Sequence, residues 1–172
     1  GQPESESLFE NVNWTRTQAY AIGLNGIYIN MKGRERLGIV REQQIGELKR
    51  EITEQLLDFV DPDTGLPVVL NVYDAKDVYV GDQAENAPDL VIGYAEGYRA
   101  SWQTALGGVP VPLVEDNLRN WSGDHCVEPA LVPGILFTSF KPDKPVNSIT
   151  ELPVLIQESF VPSKEEIDAD SR

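Results

Sequence analysis

Apolar residues recur along the chain at two different spacings, which predict a mixture of helices and strands. Over 41–60 they follow one another at intervals of three and four, with Glu and Lys between them. This spacing gives a helix one apolar stripe, so we predict a helix over 41–60. A capping-box sequence at 148–151 predicts a second amphipathic helix reaching Phe160, with Thr150 as its cap and Pro153 in its first turn.

Short apolar runs bounded by turn-forming residues predict strands at 19–22, 26–31, 68–73, 89–94 and 134–139. Asn25-Gly26 predicts the turn between the first two runs, and Asp61-Pro62-Asp63-Thr64-Gly65 predicts a turn that ends the first helix. The run at 89–94 holds consecutive apolar residues, as expected for a strand buried on both faces. Strands and helices interspersed in this order predict an α/β layered fold.

Length and charge narrow the class of protein. The 172 residues predict one domain, 10–160, between a mobile segment at 1–9 and an acidic tail at 161–172. Asp and Glu number 28 against 14 Lys and Arg, a net charge of −14, which disfavours binding to nucleic-acid polymers and anionic membranes. No run approaches the ~20 apolar residues of a membrane span, so we expect a soluble chain.

The chain has one histidine, His125, and one cysteine, Cys126. One cysteine cannot form an internal disulfide, and a zinc site takes about three or four protein ligands. Both residues lie in a weakly patterned stretch at 95–131, and a stretch of that length is often functional. Asp124-His125 fits metal ligation, and it equally fits a buried histidine that is hydrogen-bonded in a turn. The residues alone leave both interpretations open.

Three blocks in this sequence carry a resemblance to a known family. They are 13–20 (NWTRTQAY) with 23–30 (GLNGIYIN), 87–94 (APDLVIGY), and 97–110 (GYRASWQTALGGVP) running on to 123–126 (GDHC). In this order and spacing, over about residues 10–140, they resemble the type I phosphodiesterase / nucleotide pyrophosphatase branch of the alkaline phosphatase superfamily.

The resemblance implies a fold, an activity and one site residue. The fold would be part of an alkaline-phosphatase-like three-layer α/β/α sandwich, with mixed strands and at least two helices. The activity would be metal-dependent hydrolysis of a phosphoester-type small molecule, with a Thr or Ser nucleophile and divalent metals, usually zinc. His125 matches the last histidine ligand of the family in chain order, whereas we expect Asp124 to be a turn residue or a neighbour of that ligand.

The departures from the family pattern are as informative as the match. The nucleophile, the first aspartate, the Asp-x-x-x-His pair and the Asp-His pair of the family have no counterpart in this chain. We therefore expect the C-terminal portion of a longer hydrolase that supplies His125 as a metal ligand and no catalytic residue. We expect the chain alone to bind no metal tightly and to be inactive. A non-catalytic binding or structural module derived from the family is the alternative.

Other side chains admit two interpretations each. The three tryptophans could stack on a ligand or pack in the interior. Three arginines, in or near the blocks, could bind a phosphate or form surface ion pairs. These residues are Trp14, Trp102, Trp121, Arg16, Arg99 and Arg119. A partial domain would also leave sheet edges and apolar surface exposed, which predicts self-association.

Overall fold

A computed structural model of the chain describes Phe9 and residues 12–105, 108, 112–118, 120, 123 and 126–160. The predicted acidic tail at 161–172 and most of the predicted mobile segment lie outside these residues. Contacts divide the chain into two compact units, Gly1–Pro133 and Gly134–Arg172. Among the described residues, no helix is long and apolar enough to cross a lipid bilayer.

The first unit contains a four-stranded sheet in the order β1-β2-β4-β3. The strands are β1 Ala19–Ile22, β2 Gly26–Ile29, β3 Val69–Asp74 and β4 Leu90–Tyr94, so four predicted strands are confirmed within two residues at each end. The mixed α/β class is also confirmed. The expected mixture of strand directions is wrong for this sheet, because β4 lies between β2 and β3 and is antiparallel to both.

The turn between β1 and β2 ends one residue earlier than the sequence predicts. Gly23, Leu24 and Asn25 form the turn, and Gly26 is already the first residue of β2. Gly23 takes a φ of +80°, which favours glycine. Gly26 has no positive φ, but a Cβ at this position would lie 3.1 Å from the Pro88 side chain, a tight contact that only a small shift would relieve.

Helix α1, Glu42–Leu57, covers the sheet with the apolar stripe that its sequence spacing predicts. Ile52 and Leu56 from α1 pack against the buried core of the sheet, which consists of Ile27, Val68, Val69, Leu90 and Ile92. The short helices α2, Ala75–Val78, and α3, Trp102–Ala105, follow β3 and β4 respectively. The core therefore lies between α1 and the strands.

Two predictions for the second unit, a strand at 134–139 and the cap of the last helix, differ from the structure. Residues 134–139 have no regular structure, and Ile135 and Phe137 are 80% and 90% exposed. An apolar run forms a strand only where a neighbouring strand takes its backbone hydrogen bonds, so this prediction is wrong for the described chain. Thr150 is not the cap: Ser148 caps a 3₁₀ turn at Ile149–Glu151, since its hydroxyl accepts from the Thr150 N–H, and Glu151 is the N-cap of the α-helix that follows.

Helix α4, Leu152–Ser159, follows a single 3₁₀ turn at Ile149–Glu151. The Glu151 carboxylate accepts from the Ser148 N–H at 3.1 Å, which completes the predicted capping box. Pro153 lies in the first turn of α4, as predicted.

Candidate functional site

The long segment after β4 begins and ends at the same point of the sheet. Tyr94, the last residue of β4, forms a parallel bridge with Val127, and the Glu128 N–H donates to the Tyr94 carbonyl at 2.9 Å. At the other end of the segment, the Ala95 N–H donates to the Val68 carbonyl at 3.0 Å. The two ends of the segment 95–126, called the loop below, are therefore held together at the carboxyl end of β4.

A buried carboxylate holds the end of this loop. Glu128 is 8% exposed, and the Tyr73 hydroxyl of β3 donates to its Oε1 at 2.6 Å. This hydrogen bond raises the pKa of Tyr73. Glu128 Oε2 lies over Gly93 of β4, where a Cβ would overlap it, and has no hydrogen-bond partner among the described residues.

A second buried carboxylate holds the start of the loop. The Tyr98 hydroxyl donates to Asp61 Oδ2 at 2.7 Å, and the Asp63 N–H donates to Asp61 Oδ1 at 2.9 Å. The hydrogen bond from Tyr98 is the main reason that the pKa of Asp61 is lowered. Asp61 therefore shapes the turn after α1, as predicted, and also ties this turn to the loop.

An ion pair closes the amino end of β4. Arg34 donates to both oxygens of Asp89, at 3.1 and 2.6 Å, and to the Ile29 carbonyl at 2.7 Å. Asp89 Oδ2 also accepts from the Ile29 N–H at 2.7 Å. The hydrogen bond with Asp89 raises the pKa of Arg34 further above its ordinary value. Residues 29, 34 and 89 thus lock β2 to β4.

Asn30 joins the two halves of the first sequence block. Its side chain is fully buried and donates to the carbonyls of Trp14 and Thr17, at 3.0 and 2.8 Å. Trp14 packs edge-on against Phe9 and Tyr20, with ring centroids 5.3 and 5.2 Å apart. These contacts support interior packing, and not ligand stacking, for this tryptophan.

The predicted site residues lie only partly within the described structure. His125 and Asp124 lie outside the described residues, as do Trp121 and Arg119. Cys126 is partly buried. The structure does bring Arg99 to the last block, because its Nη1 donates to the Gly123 carbonyl at 3.1 Å. Its guanidinium also lies 5.3 Å from the ring centroid of Trp102, which is half exposed.

An open cleft of about 280 Å³ lies where the two ends of the loop meet. Tyr98 and Arg99 line it from the start of the loop, and Val127, Leu131 and Val132 line it from beyond its end. The lining therefore combines apolar side chains with one cationic side chain, Arg99, and one acidic side chain, Glu96.

Sequence reasoning did not single out Glu128, Tyr73 or Arg34 as functional residues. Gly93, a glycine inside an apolar strand, was the one available signal, because such a glycine often marks a close approach. For the metal, the described part of the chain contains no group of three or more His, Cys, Asp or Glu placed to hold an ion. The described residues alone therefore do not make a complete zinc site. Metal ligation by His125 stays a prediction.

The family resemblance rests on the three sequence blocks. Comparison of the chain with protein-family models, with curated proteins and with solved structures finds no match.

Proposed function

We propose that this chain is the C-terminal portion of a metal-dependent phosphodiesterase-like hydrolase of the alkaline phosphatase superfamily. In the complete enzyme, His125 is a ligand of a divalent metal, which is zinc by family resemblance, and the substrate is a phosphoester-type small molecule. The chain contributes part of a three-layer α/β/α sandwich. One observation supports the proposal, namely that the first two blocks pair on β4 and the residue directly after the third block bridges to its end.

The meeting of the blocks can be followed strand by strand. The first block supplies β1 and β2, and β2 pairs with β4 at Gly26–Val91 and Ile27–Leu90. The second block supplies β4 itself. The residue directly after the third block, Val127, bridges to Tyr94 at the end of β4. Segments far apart in the sequence therefore come together on one strand, which supports the proposal.

Exposed apolar side chains in the second unit support a partial domain. Ile149 and Phe160 are 81% and 82% exposed, and Ile135 and Phe137 are exposed to a similar degree. Apolar side chains this exposed are available for burial against another part of a protein. In our proposal, the remainder of the hydrolase covers these side chains.

The chemistry divides between this chain and the remainder. A divalent metal in such a site lowers the pKa of the nucleophile and of the hydrolytic water. The chain has one imidazole to offer, at His125, so the other ligands and the Thr or Ser nucleophile come from the remainder. We assign no catalytic step to the chain alone.

Zinc titration of the complete gene product tests the proposal, with His125→Ala compared with wild type. Glu115→Ala, which removes an exposed acid of the same loop, is the matched control. We expect His125→Ala to lower zinc affinity and turnover of a nitrophenyl phosphodiester, and Glu115→Ala to change neither. The isolated chain should show no turnover.

Two results would contradict the proposal. One is metal-dependent turnover by the isolated chain, and the other is unchanged zinc binding in His125→Ala. A native reading frame without an upstream nucleophile, Asp-x-x-x-His and Asp-His would instead favour a non-catalytic module.

A further inference from the structure

We propose that Glu128 is a positioning residue for His125, because it holds the residues that directly follow His125, up to Glu128, against the carboxyl end of β4. It does so through the Glu128 cluster, which consists of Tyr73, Gly93 and Glu128. The inference rests on the proposed function, because that function makes His125 a metal ligand.

Glu128 is fixed to the sheet through both its backbone and its side chain. It lies three positions after His125 in the sequence. Its N–H donates to the Tyr94 carbonyl at 2.9 Å, directly beside the Tyr94–Val127 bridge. Its side chain is more than nine-tenths buried. The path of the chain just after His125 is therefore determined at this residue.

The hydrogen bond from Tyr73 fixes the orientation of the Glu128 side chain. The Tyr73 hydroxyl lies 2.6 Å from Glu128 Oε1, a short distance typical of a hydroxyl that donates to a carboxylate. Tyr73 belongs to β3, whereas the backbone partner Tyr94 belongs to β4. Glu128 is thus held by two neighbouring strands, which restricts both its position and its rotation.

Gly93 provides the space that the carboxylate occupies. A Cβ at Gly93 would overlap Glu128 Oε2, and Gly93 does not have a positive φ. The backbone conformation alone would therefore accept other residues, and the close approach of Glu128 accounts for the glycine.

Stability alone is a poor explanation for an acid at this position. Glu128 Oε2 is buried and has no hydrogen-bond partner among the described residues. Burying a carboxylate is costly unless it is fully paired, so an apolar side chain would fill this volume at lower cost. A carboxylate does offer a directed bond to Tyr73, which suits a residue whose role is orientation.

The rate at which a thiol reagent labels Cys126 tests the inference. Cys126 is the only cysteine and lies two positions before Glu128, so labelling reports this segment alone. We expect Glu128→Ala and Tyr73→Phe to accelerate labelling about tenfold, because each removes the hydrogen bond. Glu128→Gln keeps an acceptor for Tyr73 and should stay within about threefold of wild type. Glu115→Ala should leave the rate unchanged.

Dependence on urea separates local release from global unfolding. Labelling through local opening responds weakly to urea, whereas labelling through global unfolding follows the full slope of the unfolding transition. We expect the accelerated labelling to respond weakly. An unchanged rate in Glu128→Ala, or acceleration only along the global slope, would overturn the inference.

Gly93→Ala provides a test that does not depend on removing the acid. The added Cβ should displace Glu128 and accelerate labelling, and Gly93→Ala/Glu128→Ala should label no faster than Glu128→Ala. This non-additivity is expected when two residues act through one contact. Additive effects would overturn the inference.

Zinc binding by the complete gene product then separates the inference from the proposed function. We expect Glu128→Ala to weaken zinc affinity about ten- to hundredfold, as for other residues that orient a metal ligand. Unchanged affinity in Glu128→Ala, with His125→Ala impaired, would overturn the positioning role and leave the proposed function intact. Unchanged affinity in His125→Ala would overturn the proposed function, whatever the labelling shows.

Discussion

Asp89 illustrates how one carboxylate can organise a whole junction. It is 8% exposed and accepts from the Ile29 N–H of β2 as well as from the Arg34 guanidinium. Without Asp89, the Ile29 N–H would lose its acceptor, and Arg34 would keep only its bonds to the Ile29 carbonyl and to Glu35. The cost of removing Asp89 is therefore the cost of leaving polar groups unpaired, which exceeds the value of the ion pair itself.

Asp89→Ala should lower the free energy of unfolding by about 3 kcal/mol, since it leaves the Ile29 N–H and Arg34 without this acceptor. Urea denaturation at neutral pH measures the change. Asp82→Ala, which removes an exposed aspartate, should change the free energy by less than about 0.5 kcal/mol. Equal effects of the two substitutions would contradict this account of Asp89.

Asp61 should make stability depend on pH in acid. Its pKa in the folded chain lies below the ordinary value of 3.8, mainly because Tyr98 donates to it. A lowered folded-state pKa stabilises above the unfolded pKa, and this contribution disappears as the pH falls through the folded pKa. Asp61→Asn should therefore be less stable than wild type near neutral pH, and the difference should shrink below about pH 4.

Urea titrations at about pH 7 and about pH 2.5 measure this difference. Tyr98→Phe is the matched variant, because it removes the donor and should flatten the pH profile in the same direction. A profile of Asp61→Asn that runs parallel to that of wild type would show that the hydrogen bond has no part in acid sensitivity.

Among the elements, α1 shows where sequence pattern is sufficient. Its apolar residues at spacings of three and four face the sheet core, and its bounds differ from the predicted ones by one residue at the start and three at the end. Its interior contains Gly46, where a Cβ would meet no atom within 4 Å. The helix thus includes a residue that weakens it without an evident packing reason.

Gly46→Ala should raise the free energy of unfolding by about 0.7 kcal/mol, because alanine loses less backbone entropy in a helix. Gly65→Ala is the matched comparison, since its Cβ also enters open space but its φ is +71°. We expect that variant to be destabilised by about 1 kcal/mol. Thermal unfolding of both variants measures the contrast, and a shift in the same direction for both would contradict it.

Local pattern predicted the elements better than their pairing. The periodicities of 19–22, 68–73 and 89–94 are local, and these strands form where predicted. The placement of β4 between β2 and β3 depends on contacts between distant segments, which periodicity does not encode. The run at 134–139 has the composition of a strand but no pairing partner among the described residues, so its composition was misleading.

Across the whole molecule, the candidate site was the least predictable part. The blocks located the loop, yet the bonds that fix β4 and the loop join residues 55 positions apart, Arg34–Asp89 before β4 and Tyr73–Glu128 at the end of the loop. A Tyr or Glu in a single sequence carries no sign of such a partner. The predicted exposure of apolar surface does have a counterpart, in the side chains of the second unit.

The isolated chain should self-associate through these side chains. Phe137→Ser with Phe160→Ser should raise the dissociation constant about tenfold or more, because each removes an apolar side chain that association would bury. Sedimentation velocity over a range of concentrations measures this change. Val80→Ser, which removes a 92% exposed side chain of the first unit, should have little effect. A monomer at all concentrations would contradict the prediction.

The Tyr94–Val127 bridge also bears on how this protein can diverge. Because the chain leaves and rejoins the sheet at one point, insertions, deletions or a grafted cassette between these residues need not alter the register of β4. Natural variation and engineering can thus change the length and sequence of the loop while the strands of the sheet keep their pairing.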